Sequence, residues 1–160
     1  MKRIFFLLLF IGISFLEANI VGKEYKDLNL KQEFCPIKSV DIKKYTDWLG
    51  YIEYTDGKIV AMSSPKYTFA YYIEELKEKK DIKAIYVTDF KTKKIIDAKT
   101  AYYVFGSNMM SIGGDDVIPF AKEVDAKEFF QERHGKQIYK FDRMNERFIN
   151  YLDMRYNKIP

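Results

Sequence analysis

The stretch Ile82–Phe141, IKAIYVTDFKTKKIIDAKTAYYVFGSNMMSIGGDDVIPFAKEVDAKEFFQERHGKQIYKF, decides the fold. Short runs of β-branched and aromatic residues alternate in it with turn residues, and one segment has the spacing of an amphipathic helix. Ile82 to Asp89 reads as a strand. Ala101 to Phe105 reads as a second, ending at Gly106, and Val117 to Phe120 as a third. Val124 to His134 then reads as a helix closed by Gly135, and Gln137 to Phe141 as the last strand.

Upstream, Trp48 to Tyr54 and Ile59 to Met62 are β-rich runs joined by Thr55-Asp56-Gly57-Lys58. Asp-Gly between such runs is a hairpin signal, because the turn needs positive φ at its centre. Ser63-Ser64-Pro65 caps and opens a helix that Tyr67, Phe69, Tyr72, Ile73 and Leu76 continue, with Lys77, Lys79 and Lys80 at its end. The order strand, strand, helix, strand therefore occurs twice, at about 46–90 and 97–142. Lys83-Ala84-Ile85-Tyr86 and Lys136-Gln137-Ile138-Tyr139 open the third strand of each unit, and each strand leads to an aspartate, Asp89 or Asp142. The expected class is α+β, two similar ββαβ units packed together in one domain at 35–142. An additional helix lies in 143–160, with Asp142 as its N-cap and Met144, Phe148, Tyr151, Leu152 and Tyr156 on one face. That helix covers a sheet edge or face, or binds a partner.

Residues 1–18 carry Lys2 and Arg3, then an apolar run from Ile4 to Leu16, then Ala18. The run is shorter than the roughly 20 residues of a membrane-spanning helix, so it reads as an export signal cut after Ala18, with a retained N-terminal anchor as the competing reading. Cysteine does not follow the run, so there is no lipoprotein signal, and the expected location is the periplasm. Residues 19–34 are polar, without periodicity, and read as an extended leader. Removing Lys2, Arg3 and Glu17 from 27 basic and 23 acidic residues leaves 25 and 22, a net of +3. So mild and dispersed a charge argues against a nucleic-acid partner.

Catalytic chemistry is poorly supplied. His134 is the one imidazole, no Ser-His pairing is justified by spacing, and Gly113-Gly114-Asp115-Asp116 reads as a solvent-exposed turn rather than a phosphate loop. No enzyme and no small-molecule substrate is expected. Cys35 is the single cysteine, which excludes an internal disulfide and leaves two readings, a soft-metal ligand or reactive thiol and a buried inert thiol. Pro36 biases Cys35 toward an extended backbone.

At Tyr86-Val87-Thr88-Asp89, Ile96-Asp97-Ala98-Lys99-Thr100-Ala101-Tyr102-Tyr103-Val104-Phe105-Gly106-Ser107, Ile118-Pro119-Phe120-Ala121 and Asp125-Ala126-Lys127-Glu128-Phe129, the chain resembles the NosL family of nitrous-oxide reductase accessory proteins. The likeness extends through Trp48, Asp56-Gly57 and Tyr71-Tyr72 to Cys35-Pro36. The resemblance implies an extracytoplasmic protein that binds copper(I) and helps supply it to nitrous-oxide reductase, built from two ββαβ units. Its partners would be copper-donating or copper-receiving envelope proteins, with membrane contact only if the N-terminal segment is retained.

The metal motif departs from the family. Where Cys-Pro-x-Cys-Gly-Met is usual, this chain has Cys35-Pro36-Ile37-Lys38-Ser39-Val40, so an ammonium stands in place of a thiolate. The second family motif, Gly-Pro-Met-Gly, aligns Gly113 with its methionine, while Met109 and Met110 lie four and three residues earlier. The ligands expected on this basis are Cys35, Met109 and Met110, the two methionines being alternatively packed side chains. His134 is a helix-end residue or a ligand, and Met62 a core residue. Two functions follow: copper(I) handling through a reduced site, and a relative that has lost metal binding and docks a partner.

Overall fold

The computed structural model describes the backbone of residues 19–156 and side chains through residue 154; residues 1–18, where an export signal is expected, and the end of the chain lie outside the described residues. The first unit comprises β1 (Gly50–Tyr54), β2 (Ile59–Met62), α1 (Pro65–Lys77) and β3 (Ile82–Thr88). The second comprises β5 (Tyr102–Phe105), β6 (Val117–Phe120), α2 (Glu123–Glu132) and β7 (Gln137–Tyr139). A short strand, β4 (Ile95–Asp97), lies between them, and α3 (Glu146–Tyr156) follows.

Two antiparallel sheets result, ordered β2-β1-β3-β4 and β6-β5-β7. In each unit the first strand is central, its hairpin partner lies on one side, and the strand returning from the helix lies on the other. The second β-β-α-β run thus repeats the first in topology as well as in order. β4 is the addition that sequence pattern misses, since three residues are too few to show alternation; it pairs Tyr86 with Asp97 and Thr88 with Ile95.

Turn chemistry explains the local joins. Gly57 takes φ +85° and its N–H meets Tyr54 O at 3.0 Å, closing the β1–β2 turn, while Asp56 Oδ1 accepts from Lys58 N. Ser64 caps α1 by accepting from Tyr67 N, with Pro65 in the first turn. The close of α2 differs from expectation: His134, not Gly135, adopts the left-handed conformation at φ +55°. Gly135 is needed for space, because a Cβ there would sit 2.6 Å from the Phe130 ring and 2.9 Å from Val104. The start of α3 differs too. Asn145 caps it by accepting from Phe148 N, and Asp142 lies in a separate 3₁₀ turn at Phe141–Arg143. Asp142 therefore does not match Asp89, which is 1% exposed, takes Ala121 N on one carboxylate oxygen and Thr92 on the other, and so ties the two units together.

The larger core cluster joins Ile52, Ile85, Phe69, Tyr103 and Phe105 with Phe148, Ile149 and Leu152 of α3. α3 is therefore a wall of the core. Ion pairs clamp it to α1 at both ends, Lys77 to Glu146 at 2.7 Å and Lys66 to Asp153 at 2.8 Å. A second cluster under α2 holds Val104, Ile118, Phe120, Ala126 and Phe129, with Phe90 packed edge-on against Phe120, Phe129 and Trp48. The segment at 19–34 has short-range order of its own and binds the first sheet. Ile20 is 2% exposed, Gly22 N donates to Ile95 O, and Gln32 exchanges two hydrogen bonds with Ala61.

Candidate metal centre

The Cys35–Val40 turn is small and closed. Cys35 N donates to Val40 O and Ser39 N to Cys35 O, both at 2.9 Å; Ser39 adopts φ +54°, and Phe34 bridges to Asp41. This geometry turns the Cys35 side chain inward, where it is 1% exposed and belongs to the larger core cluster. Its sulfur accepts from Ser63 N at 3.4 Å, just before α1. Lys38 is exposed and Val40 half-buried. Ser63 itself is fully buried, and its Oγ has no hydrogen-bond partner among the described residues.

The second motif region meets the same end of α1. Ser111 and Gly114 exchange two backbone hydrogen bonds around Ile112 and Gly113, and Gly114 takes φ +79°. Gly113 O accepts from Lys66 Nζ at 2.5 Å. Lys66 is 1% exposed, and its ammonium also pairs with Asp153 and lies 5.5 Å from the Tyr67 ring centre. A Cβ on Gly113 would stand 3.0 Å from Lys66 Cε and 3.1 Å from Tyr67 Cζ, so a larger side chain there and Lys66 compete for one space. Sequence reading missed Lys66. Its position in the first turn of an amphipathic helix looks like a solvated face, and no local signal distinguishes it.

Asp115 and Asp116 correct the expectation of a solvent-exposed pair, being 7% and 4% exposed. The reason is backbone demand. Asp116 Oδ1 accepts from Lys66 N and Val117 N, both at 2.8 Å, and Oδ2 accepts from Ser111 Oγ at 2.6 Å. Burial raises the Asp116 pKa to about 6, against the lowering effects of Ser111, Val117 N–H, Ser64 and the Lys66 charge.

The expected ligands are placed apart. Met109 packs half-buried against the second cluster, Met110 is 50% exposed, and Cys35 lies in the first cluster. His134 is exposed, and Met62 is fully buried in the core as expected. Among the described residues no group of three or more His, Cys, Asp or Glu side chains could hold a metal ion. The donors among these residues are sulfur atoms, soft in type, but the Cys35 sulfur and the thioethers of Met109 and Met110 are not gathered at one point.

A duplicated ββαβ scaffold carrying one cysteine turn at the lead-in to its first helix defines the class. The family model for NosL matches residues 28–149, and the chain belongs to the NosL family. In structure it is similar to the copper chaperone NosL from Shewanella denitrificans, with a TM-score of 0.59 and 22% sequence identity over 71% of this chain and 90% of that one. That likeness concerns the fold. No curated protein matches the chain in sequence. Among the described residues no helix is long and apolar enough to cross a membrane.

Proposed function

We propose that the protein is an exported copper(I)-handling accessory protein that serves copper-site assembly in nitrous-oxide reductase. Cys35 supplies the thiolate and Met109 or Met110 the thioether. The observation that carries this reading is the convergence of two turns, distant in sequence, on one helix end: Cys35 at Ser63, and Ser111–Gly114 at Lys66. Thiolate and thioether sulfur match copper(I), and few ligands suit passing the ion on rather than storing it. Its partners are then envelope proteins that donate or receive copper, met in the periplasm after removal of residues 1–18. In a copper(I) titration against a chromogenic competitor, the wild type takes up one equivalent and Cys35→Ala takes up none. Equal uptake by the two removes this reading.

A second reading has its own observation. Cys35 is 1% exposed, and a buried ammonium stands against Gly113, where the family resemblance expects a methionine. A member that has lost metal binding and docks an envelope partner accounts for both. It gains if the metal-free protein co-purifies with a partner and Cys35→Ala leaves that contact intact.

A further inference from the structure

We infer that the groove between α2 and Phe90 docks an arginine side chain presented by a partner polypeptide, with the guanidinium on the carboxylates of α2 and the stem on a phenylalanine floor. The floor is Phe90, Phe120 and Phe129, whose ring centres lie 5.1 to 5.9 Å apart. The rim is Asp125, Glu128 and Glu132. Three- and four-residue spacing puts these carboxylates on the side of α2 that carries Phe129, so the helix sequence itself builds an acidic edge over an aromatic base. The cavity measures about 350 Å³. That is at the lower end of the roughly 300–1,000 Å³ of ligand sites.

The charge of the groove selects a cation. Among the described residues three carboxylates line it against one ammonium, that of Lys91. Lys91 shows what the rim accepts: its Nζ lies 2.7 Å from Asp125 and 2.8 Å from Glu128, and these hydrogen bonds, Asp125 first, raise its pKa. The floor draws cations as well, since Lys93 Nζ stands 4.2 Å from the centre of the Phe90 ring. One ammonium does not neutralise three carboxylates, and Glu128 and Glu132, one turn apart, are both exposed to a second cation. A guanidinium suits that place better than an ammonium, because its planar fork serves two carboxylates at once and its face lies flat on an aromatic ring. Val124, 66% exposed and one turn before Glu128, sets apolar surface beside the acidic rim. An arginine flanked by an apolar residue in a polypeptide covers both, whereas a free cation covers only the rim. Phe120 and Phe129 belong to the second core cluster and Cys35 to the first, so the groove is a surface distinct from the cysteine turn. Assigning the segment to a copper-exchange partner rests on the copper reading above; the preference of the groove for arginine does not.

The test titrates acetyl-Leu-Arg-Leu-amide into the isotope-labelled protein and follows backbone amide shifts by NMR. The shifts centre on Phe90, Lys91, Glu128 and Glu132. The same peptide with citrulline, which keeps the shape of arginine and loses its charge, binds about tenfold more weakly. Glu132→Gln weakens binding of the arginine peptide about threefold, the effect of one exposed ion pair, and Lys91→Met strengthens it about threefold because the competing ammonium is gone. Both side chains lie at the surface, and the amide spectrum of each variant shows that its fold is kept. Equal binding of the two peptides, no shift in the groove, or a Lys91→Met protein that binds no better than wild type overturns the site. Spermidine that binds the groove more tightly than the arginine peptide makes the occupant a free polyamine and overturns the docking assignment. Copper(I) titration of the same samples separates the two ideas: wild type that takes up no copper sinks the copper reading and leaves the groove result standing.

Discussion

Replacing Lys66 tests whether the buried ammonium holds α1, the Ser111–Gly114 turn and α3 together. In Lys66→Met the stem is kept and the charge removed, so Gly113 O loses its bond from Nζ and Asp153 its partner. An orphaned buried carbonyl costs about 1–3 kcal/mol. Asp153, with its side chain 57% exposed, regains water and adds little, so Asp153→Asn alone costs under about 1 kcal/mol. Lys66→Ala also deletes three buried methylenes at about 0.8 kcal/mol each, bringing its total to about 3–5 kcal/mol. The expected order of loss is Asp153→Asn, then Lys66→Met, then Lys66→Ala. Urea unfolding followed by fluorescence of Trp48, whose ring lies edge-on to Phe90, measures it. At a slope of about 2 kcal/mol per molar urea, Lys66→Met lowers the midpoint by about 1 M. Wild-type stability in Lys66→Met would refute the reasoning, because it would mean that relief of ammonium desolvation offsets the lost bonds in full.

Asp116 gives a pH signature. Its folded pKa of about 6 lies above the ordinary 3.8, so the folded state holds the proton more tightly and stability falls as pH rises between those values, by about 3 kcal/mol. Above pH 6 and below pH 3.8 this contribution is flat, and Asp116→Asn removes the slope; parallel pH–stability curves for the two proteins would contradict the burial effect. Ser63→Ala removes an orphaned hydroxyl and raises stability by about 1 kcal/mol, read as a higher urea midpoint. A lower midpoint would mean that the hydroxyl is satisfied. Gly50→Ala puts a Cβ at 2.2 Å from Thr68 Oγ1 and 2.7 Å from its methyl, where α1 crosses β1, and lowers stability by about 1–3 kcal/mol. The double variant with Thr68→Ser, which withdraws the methyl, recovers part of that loss; no recovery would locate the strain elsewhere.

Local chemistry made most of the fold legible. Asp56-Gly57 marked a hairpin, Ser64-Pro65 marked the start of α1, and runs of β-branched and aromatic residues located six strands, because each signal is complete within a few residues. The resemblance around Ile96–Ser107 pointed to the family for the same reason: those residues carry it in order along the chain. Cys35 was legible as a candidate, since a lone cysteine followed by proline stands out in any reading.

What only the tertiary structure decided is what meets what. β4 exists because Ile95 and Asp97 find Thr88 and Tyr86, and the 19–34 segment is ordered because Ile20 and Gln32 find the first sheet. Asp116 is buried because two N–H groups and a hydroxyl converge on it from α1, its own strand and the preceding turn. Lys66 has the local signature of a surface lysine and becomes interior only when Gly113 and Asp153 arrive from 47 and 87 positions away. Patterns in sequence report the hydrogen bonds and periodicity a segment makes with itself. The burial of a charge or a thiol depends on partners brought from elsewhere in the chain, and at Cys35, Ser63 and Lys66 those partners set the chemistry.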